Sequence, residues 1–225
     1  MSFEKTLLIN LMADTILHYF GGNGRGEAIR MMLHHAGVAF DDKCYTFEQW
    51  APLKESGLFE YKRMPMLEID GHRLVETAAI IRYVATKYGF YSNESLAVYN
   101  IEVVASLAQE IAENWIKFVF PEYNEEGLFK WIDENLATSL GRLEGRLVSN
   151  NNGDGFFVGN SATAADFLVF QFLWDNIVTK EDRWAKYASM FDTHAPKVKA
   201  FLERFPDSSP TLKAYLDQKN RARPI

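Results

Sequence analysis

The run Arg63-Met64-Pro65-Met66-Leu67-Glu68-Ile69-Asp70-Gly71-His72-Arg73-Leu74-Val75-Glu76-Thr77 sets chemically useful groups at close spacing. A proline heads a short apolar strand, and Asp-Gly makes the tight turn of a hairpin. Glu76-Thr77 then opens an apolar-periodic helix. An edge strand offers main-chain hydrogen bonds, and a helix start offers free N–H groups to a carboxylate. Together they suit a small anionic peptide. Other runs fail their chemical tests. Gly21-Gly22-Asn23-Gly24-Arg25-Gly26 has neither the Gly-Lys-Ser/Thr of a phosphate loop nor Gly-x-Gly-x-x-Gly spacing, and reads as a turn. The five histidines show no ligand spacing; adjacent His34 and His35 face different sides of a helix. No metal site is expected.

These groups need a scaffold. Leu17 to Phe20 reads as a strand, Glu27 to Ala36 as a helix ended by Gly37, and Phe40 to Tyr45 as a second strand. Residues 46–62 read as loop and short helix, followed by the hairpin and a helix to Tyr88. That is βαβ followed by ββα. After a linker at Gly89 to Glu94 only helical patterns follow: Leu96–Phe118, Leu128–Val148, Ala165–Val178, Asp182–Phe191 and Ala195–Phe205. Thr163 and Asp166 have capping-box spacing at the head of the third of these, a structural feature worth about 1 kcal/mol.

Composition narrows the function classes. The chain has 225 residues and a net charge of −6, which argues against nucleic acid or an anionic membrane as partner. No apolar run reaches the length of a membrane span. One cysteine, Cys44, excludes an internal disulfide framework and fits a reducing cytoplasm. The apolar N-terminal stretch Thr6 to Ala13 is broken by Asn10 and preceded by Glu4, so it makes a poor signal peptide and reads as a loosely ordered tail. Asn93-Glu94-Ser95 matches a glycosylation triplet, which has no meaning in a cytosolic chain.

The layout of residues 63–77 resembles the glutathione-binding half of the cytosolic glutathione transferases, tyrosine-type, near the alpha, pi and sigma-like classes. Leu17-His18-Tyr19-Phe20 followed by Arg25-Gly26-Glu27-Ala28-Ile29-Arg30 looks like that family's first strand, active-site tyrosine and first helix. Ser161-Ala162-Thr163-Ala164-Ala165-Asp166 resembles its second-domain capping segment. The resemblance runs from about Thr15 almost to the C-terminus. It implies an α+β fold: a thioredoxin-like glutathione-binding domain at 15–90, then an all-helical domain at 96–225 with the electrophile pocket at the interface.

The same resemblance implies roles for individual residues. Tyr19 would be catalytic, donating its hydroxyl to the glutathione sulfur. A thiol is mostly neutral in the cell, and one charged hydrogen bond is worth roughly 1.5–3 kcal/mol, or about one to two pKa units. Arg25 sits where alpha-type members place a cation near the sulfur; the alternative is a solvated arginine at a helix start. A family arginine two positions earlier is Asn23 here. Trp50 and Lys54 would hold the glycine end of glutathione. Pro65 would be cis, aiming the main chain of Met64 at the cysteine; the alternative is a trans proline opening an edge strand. Glu76 and Thr77 would hold the γ-glutamyl end, and the pair also reads as a helix cap. Gly22, Trp115, Ile116 and Phe118 are candidates for the electrophile pocket. An Asp that the family often lends from the partner subunit is Ser106 here, so Glu102 or Glu110 would replace it or the contact is lost.

The reading is therefore a homodimeric glutathione transferase acting on glutathione and hydrophobic electrophiles. It needs no metal. Two rivals share the fold: a glutathione-dependent isomerase of the prostaglandin synthase type, and a non-catalytic crystallin-like or ligand-carrying relative.

Overall fold

The computed structural model describes residues 14–120 and 122–222. The N-terminal stretch read above as a loose tail lies outside the described residues. The chain forms two units. One runs to Lys87 and takes in the segment from Ser209; the other is Tyr88–Ser208.

The first unit contains β1 (Ile16–Phe20), α1 (Glu27–His35), β2 (Asp41–Tyr45), α2 (Phe47–Lys54), β3 (Met66–Ile69), β4 (His72–Val75) and α3 (Thr77–Tyr88). The sheet order is β2-β1-β3-β4. β1 runs parallel to β2, with Tyr19 opposite Cys44, and antiparallel to β3, with His18 opposite Met66. Asp70 and Gly71 close the β3–β4 hairpin with φ of 52° and 77°, the two left-handed residues a tight two-residue turn requires. α1 stops where the sequence says it must. Gly37 is left-handed, its N–H bonds the His34 carbonyl, and the Val38 N–H bonds that of Leu33. Thr46 caps α2 through a box with Gln49. Leu17, Ile29, Leu33, Leu67, Ile80 and Val84 are fully buried and form the core between sheet and helices.

The helical unit contains α4 (Ser95–Val119), α5 (Glu125–Val148), α6 (Ala164–Leu173), α7 (Glu181–His194) and α8 (Pro196–Arg204). Every residue of α6 from Ala164 to Phe170 is buried, the pattern of a helix surrounded by others. The helix expected through Val178 passes at Trp174 into a π-helical turn, Trp174–Val178.

One element has no counterpart in the sequence reading. The helices were expected to end near residue 205, inside a domain at 96–225, yet α9 (Pro210–Ala222) packs on α1 of the first unit. Leu212 and Leu216 are buried, and the Ser209 hydroxyl donates to the His35 carbonyl. The sequence shows only a proline and two leucines four residues apart, too thin a stripe to mark a buried helix by period alone.

Candidate functional site

Topology gathers the candidate residues at one end of the sheet. Tyr19 lies near the C-terminal end of β1. The antiparallel register places Pro65 beside it, and pairing of Met66 with Val75 brings Glu76 to the same end. Parallel β2 delivers the chain to α2, which carries Trp50 and Lys54.

Tyr19 is held by the glycine-rich turn after it. A side chain at Gly26 would come within 2.6 Å of the Tyr19 ring, and one at Gly24 within 2.7 Å of its hydroxyl. Gly24 is also left-handed, with φ of 42°. The turn can therefore lie directly on the ring only because it lacks side chains there. It brings the Arg25 N–H to the Tyr19 Oη at 2.9 Å. The hydroxyl accepts that bond, so its own proton is left to donate elsewhere. Burial raises the Tyr19 pKa above the ordinary tyrosine value, against the opposing pull of the Arg25 N–H and the Arg25 and Arg30 charges. At neutral pH the group is a neutral phenol and a hydrogen-bond donor.

Beneath the turn lies Arg30, which the sequence reading left out. It is fully buried, with its guanidinium 5.7 Å from the Tyr19 ring centre. It donates to the Phe20 and Gly22 carbonyls at 3.0 Å each, and to Asp42 at 2.8 Å, and it pairs with buried Glu27 at 3.3 Å. Burial opposes its charge, but the Glu27 and Asp42 carboxylates outweigh burial and hold the guanidinium above its ordinary pKa. One signal for it existed: an Arg three residues after a Glu, inside the apolar run Ala28 to Leu33.

The other candidates fall as follows. Trp50 is half-buried, edge-on to Phe59 at 5.0 Å and Phe20 at 6.3 Å, and Lys54 is exposed at the end of α2. Phe59 also packs edge-on against buried His18, whose ring nitrogens meet Tyr45 at 2.8 Å and Glu68 at 2.9 Å. The Met64–Pro65 bond is cis. Glu76 is exposed and left-handed, with φ of 66°, and its carbonyl accepts the Ile80 N–H that starts α3; Thr77 beside it is half-buried. A left-handed backbone costs a residue with a side chain about 1–3 kcal/mol, and such strain collects at binding sites.

Gly22 is exposed, and a side chain there would meet nothing within 4 Å. Trp115 is buried within the helical unit, edge-on to Trp131 and Phe172 and under the Arg183 guanidinium at 5.1 Å. Phe118 is half-buried against Trp131, and Ile116 is exposed. Ser106 and Glu110 are exposed on α4, while Glu102 bonds the Tyr91 hydroxyl. Among the described residues no cluster of His, Cys, Asp or Glu is placed to hold a metal, and no helix is long and apolar enough to cross a membrane.

Comparison with known proteins agrees with this geometry. Residues 16–86 match the model of the glutathione S-transferase N-terminal domain, and residues 109–219 that of the C-terminal domain. The chain is 31% identical to glutathione S-transferase 3 of Gallus gallus, over 96% of this chain and 90% of that one. It is 30% identical to glutathione S-transferase alpha-3 of Rattus norvegicus, over 93% and 91%. The pi-class glutathione S-transferase of Onchocerca volvulus superposes with a TM-score of 0.80 at 22% identity, over 93% and 95%, a likeness of fold. Paired domains, sheet topology and overall identity lead to one conclusion: this chain belongs to the glutathione S-transferase family and is a transferase.

Proposed function

We propose that this enzyme activates glutathione at Tyr19, whose hydroxyl donates to the sulfur and stabilises the thiolate. The thiolate then forms a C–S bond to an electrophilic carbon as that carbon's bond to a leaving group breaks, the leaving group departing with its electron pair (chloride from a chlorinated dinitrobenzene), and the thiol proton passes to solvent. One observation carries the reading: the Arg25 N–H fills an acceptor site of the Tyr19 oxygen at 2.9 Å, which turns the phenolic proton outward as a donor. Arg25 adds positive charge at the same turn, which favours a thiolate.

The remaining anchors are assigned by chemistry. The main chain of Met64, beside the sheet end, takes the cysteine of glutathione. Glu76 pairs with the γ-glutamyl ammonium, and Thr77, in the first turn of α3, meets the adjacent carboxylate. Trp50 and Lys54 take the glycine end. Contacts to the electrophile are assigned separately in each unit: to Gly22, whose surroundings are open, in the first, and to Trp115 and Phe118 of α4 in the second. Leu96 and Tyr99, three residues apart on α4 and each more than half accessible, support assembly as a homodimer. The enzyme is assigned to the cytoplasm.

Tyr19→Phe tests the central claim. The variant keeps the ring in its glycine cradle and loses only the hydroxyl. Turnover with a chlorinated dinitrobenzene should fall by about 10- to 100-fold while glutathione binding by calorimetry stays within about twofold. Unchanged turnover at neutral pH would remove Tyr19 from the mechanism. Light scattering at micromolar concentration checks the dimer, and a lone 25.8 kDa species would reject it.

A further inference from the structure

The buried network behind Tyr19 does not end in α1. Tyr215, on α9, donates its hydroxyl to Glu27 Oε1 at 2.6 Å. The other oxygen of Glu27 meets Arg30 at 3.3 Å, and both side chains are wholly excluded from solvent. Arg30 in turn holds the Phe20 and Gly22 carbonyls, which flank the turn lying on the Tyr19 ring. A hydroxyl nearly two hundred residues along the chain is thus three contacts from the Tyr19 ring.

From this geometry we infer that Tyr215 is a positioning residue for the catalytic turn: it holds Glu27, Glu27 holds Arg30, and Arg30 fixes the backbone and the positive field at Tyr19. The inference rests on the assignment of Tyr19 to the sulfur.

The physical argument concerns how a buried ion pair keeps its geometry. A carboxylate taken out of water settles where its hydrogen bonds are best. Tyr215 supplies a short one from outside α1, on the side away from Arg30. Without it Glu27 swings toward the guanidinium. Arg30 then trades its bonds to the Phe20 and Gly22 carbonyls for a closer ion pair, and the turn loosens above it. Among the described residues, other charged or titratable groups facing the network include Asp42 and Cys44 on β2, His34 on α1 stacked on Tyr215 at 4.0 Å, and Arg25 on the turn. The rival account is that α9 only packs, through Leu212, Leu216 and the Tyr215 ring.

Tyr215→Phe in the full chain separates the two, because it keeps the ring and the packing and removes only the hydroxyl. Ultraviolet titration of the enzyme-bound glutathione thiolate is the decisive readout. The apparent thiol pKa should rise by about half a unit and kcat at pH 7 should fall about two- to tenfold, with the KM for glutathione nearly constant. Glu27→Gln should move the thiol titration in the same direction. The double variant should exceed the larger single effect only slightly, since both act through one chain of contacts. Tyr215→Phe that lowers the melting temperature yet leaves the thiol titration and kcat unmoved overturns the inference and makes α9 a packing element. Tyr19→Phe is measured alongside. If it too leaves the thiol titration unchanged, the Tyr19 assignment fails and carries this inference down with it. If only Tyr215→Phe is silent, the inference alone falls.

Discussion

Among the described residues two carboxylates are completely buried, each at the head of a helix, and they are stabilised in different ways. Glu27 opens α1 beneath the glycine-rich turn, and its partners include the Arg30 cation and the Tyr215 hydroxyl. Asp166 sits in the first turn of α6. It accepts the Phe157 and Thr163 N–H groups at 2.8 Å and the Thr163 hydroxyl at 2.7 Å. The first arrangement is a charged hub whose cation reaches on to the backbone beside Tyr19. The second is a closed set of local donors that ends where it begins. A buried ion pair is a costly way to hold a helix, and replacing both partners by apolar side chains often stabilises a protein. The ion pair lies under the turn that touches Tyr19, whereas the hydrogen-bonded set on Asp166 contains no cation.

The largest effect should follow from breaking the hub. Arg30→Met leaves Glu27 buried without its cation and strips two carbonyls of their donor. Urea unfolding should show a loss of about 3–5 kcal/mol. Glu27→Leu added to Arg30→Met should recover much of that stability, because neither charge of the pair is then buried. It should not recover turnover, because the Phe20 and Gly22 carbonyls still lack their anchor. A single variant as stable as wild type would mean the hub is not buried as described, and the contrast with Asp166 would collapse.

A smaller and pH-dependent effect is expected at Asp166. Asn in its place keeps the shape but turns one acceptor into a donor, which leaves a buried N–H or O–H unmatched at about 1–3 kcal/mol. Burial pushes the Asp166 carboxyl up to about 6 from 3.8, against its N–H and O–H donors, which favour the charge. Its folded pKa lies above its unfolded one. Its contribution to stability is therefore complete below pH 3.8 and is lost as the pH rises through about 6. The stability gap between wild type and Asp166→Asn should widen on acidification from pH 7 to pH 5, while the kcat of the variant equals that of wild type at each pH. A gap flat with pH would place the carboxyl at its ordinary value, making the two buried acids more alike than they look here.

The two sites also differ in how far the sequence discloses them. The Thr163–Asp166 box is legible because its partners lie three residues apart and its geometry is fixed by one helix turn. The Asp70-Gly71 hairpin and the Gly37 stop are legible for the same reason: each depends on local backbone preference. Glu27 and Tyr215 lie 188 residues apart, and no spacing rule joins them. Nothing in the pattern of residues 210–222 says which unit that helix joins. Arg30 is an intermediate case, visible as a charge in an apolar stripe, with its partners on β2 and on the turn set by tertiary packing alone. Local rules thus place the strand that carries Tyr19 and the β3–β4 hairpin, the resemblance singles out Tyr19 itself, and the supports that hold it in place come from distant chain.

Backbone strain divides the molecule in the same way, and it gives the smallest expected effect. Among the described residues, the left-handed positions with side chains in the helical unit are Asn151 and Asn152, a residue type that accepts that conformation. In the first unit they are Tyr61, Lys62, Asp70 and Glu76. Glu76 has a structural substitute that fits its φ of 66° better, namely glycine. Relief of the side-chain clash is worth about 1–2 kcal/mol, and the greater freedom of glycine in the unfolded chain takes back about 0.4–1 kcal/mol. Glu76→Gly should therefore unfold at the same denaturant concentration as wild type or slightly higher. Its KM for glutathione should nonetheless rise about two- to tenfold with kcat little changed, since the ammonium it holds lies far from the sulfur and is bound equally in ground and transition states. Glu76→Gln, which keeps the strain and removes the charge, should raise KM in the same direction, and salt should narrow its difference from wild type. If Glu76→Gly instead lost stability at constant KM, the glutamate would be serving the start of α3. The strained residues of the first unit would then be a matter of folding rather than of binding.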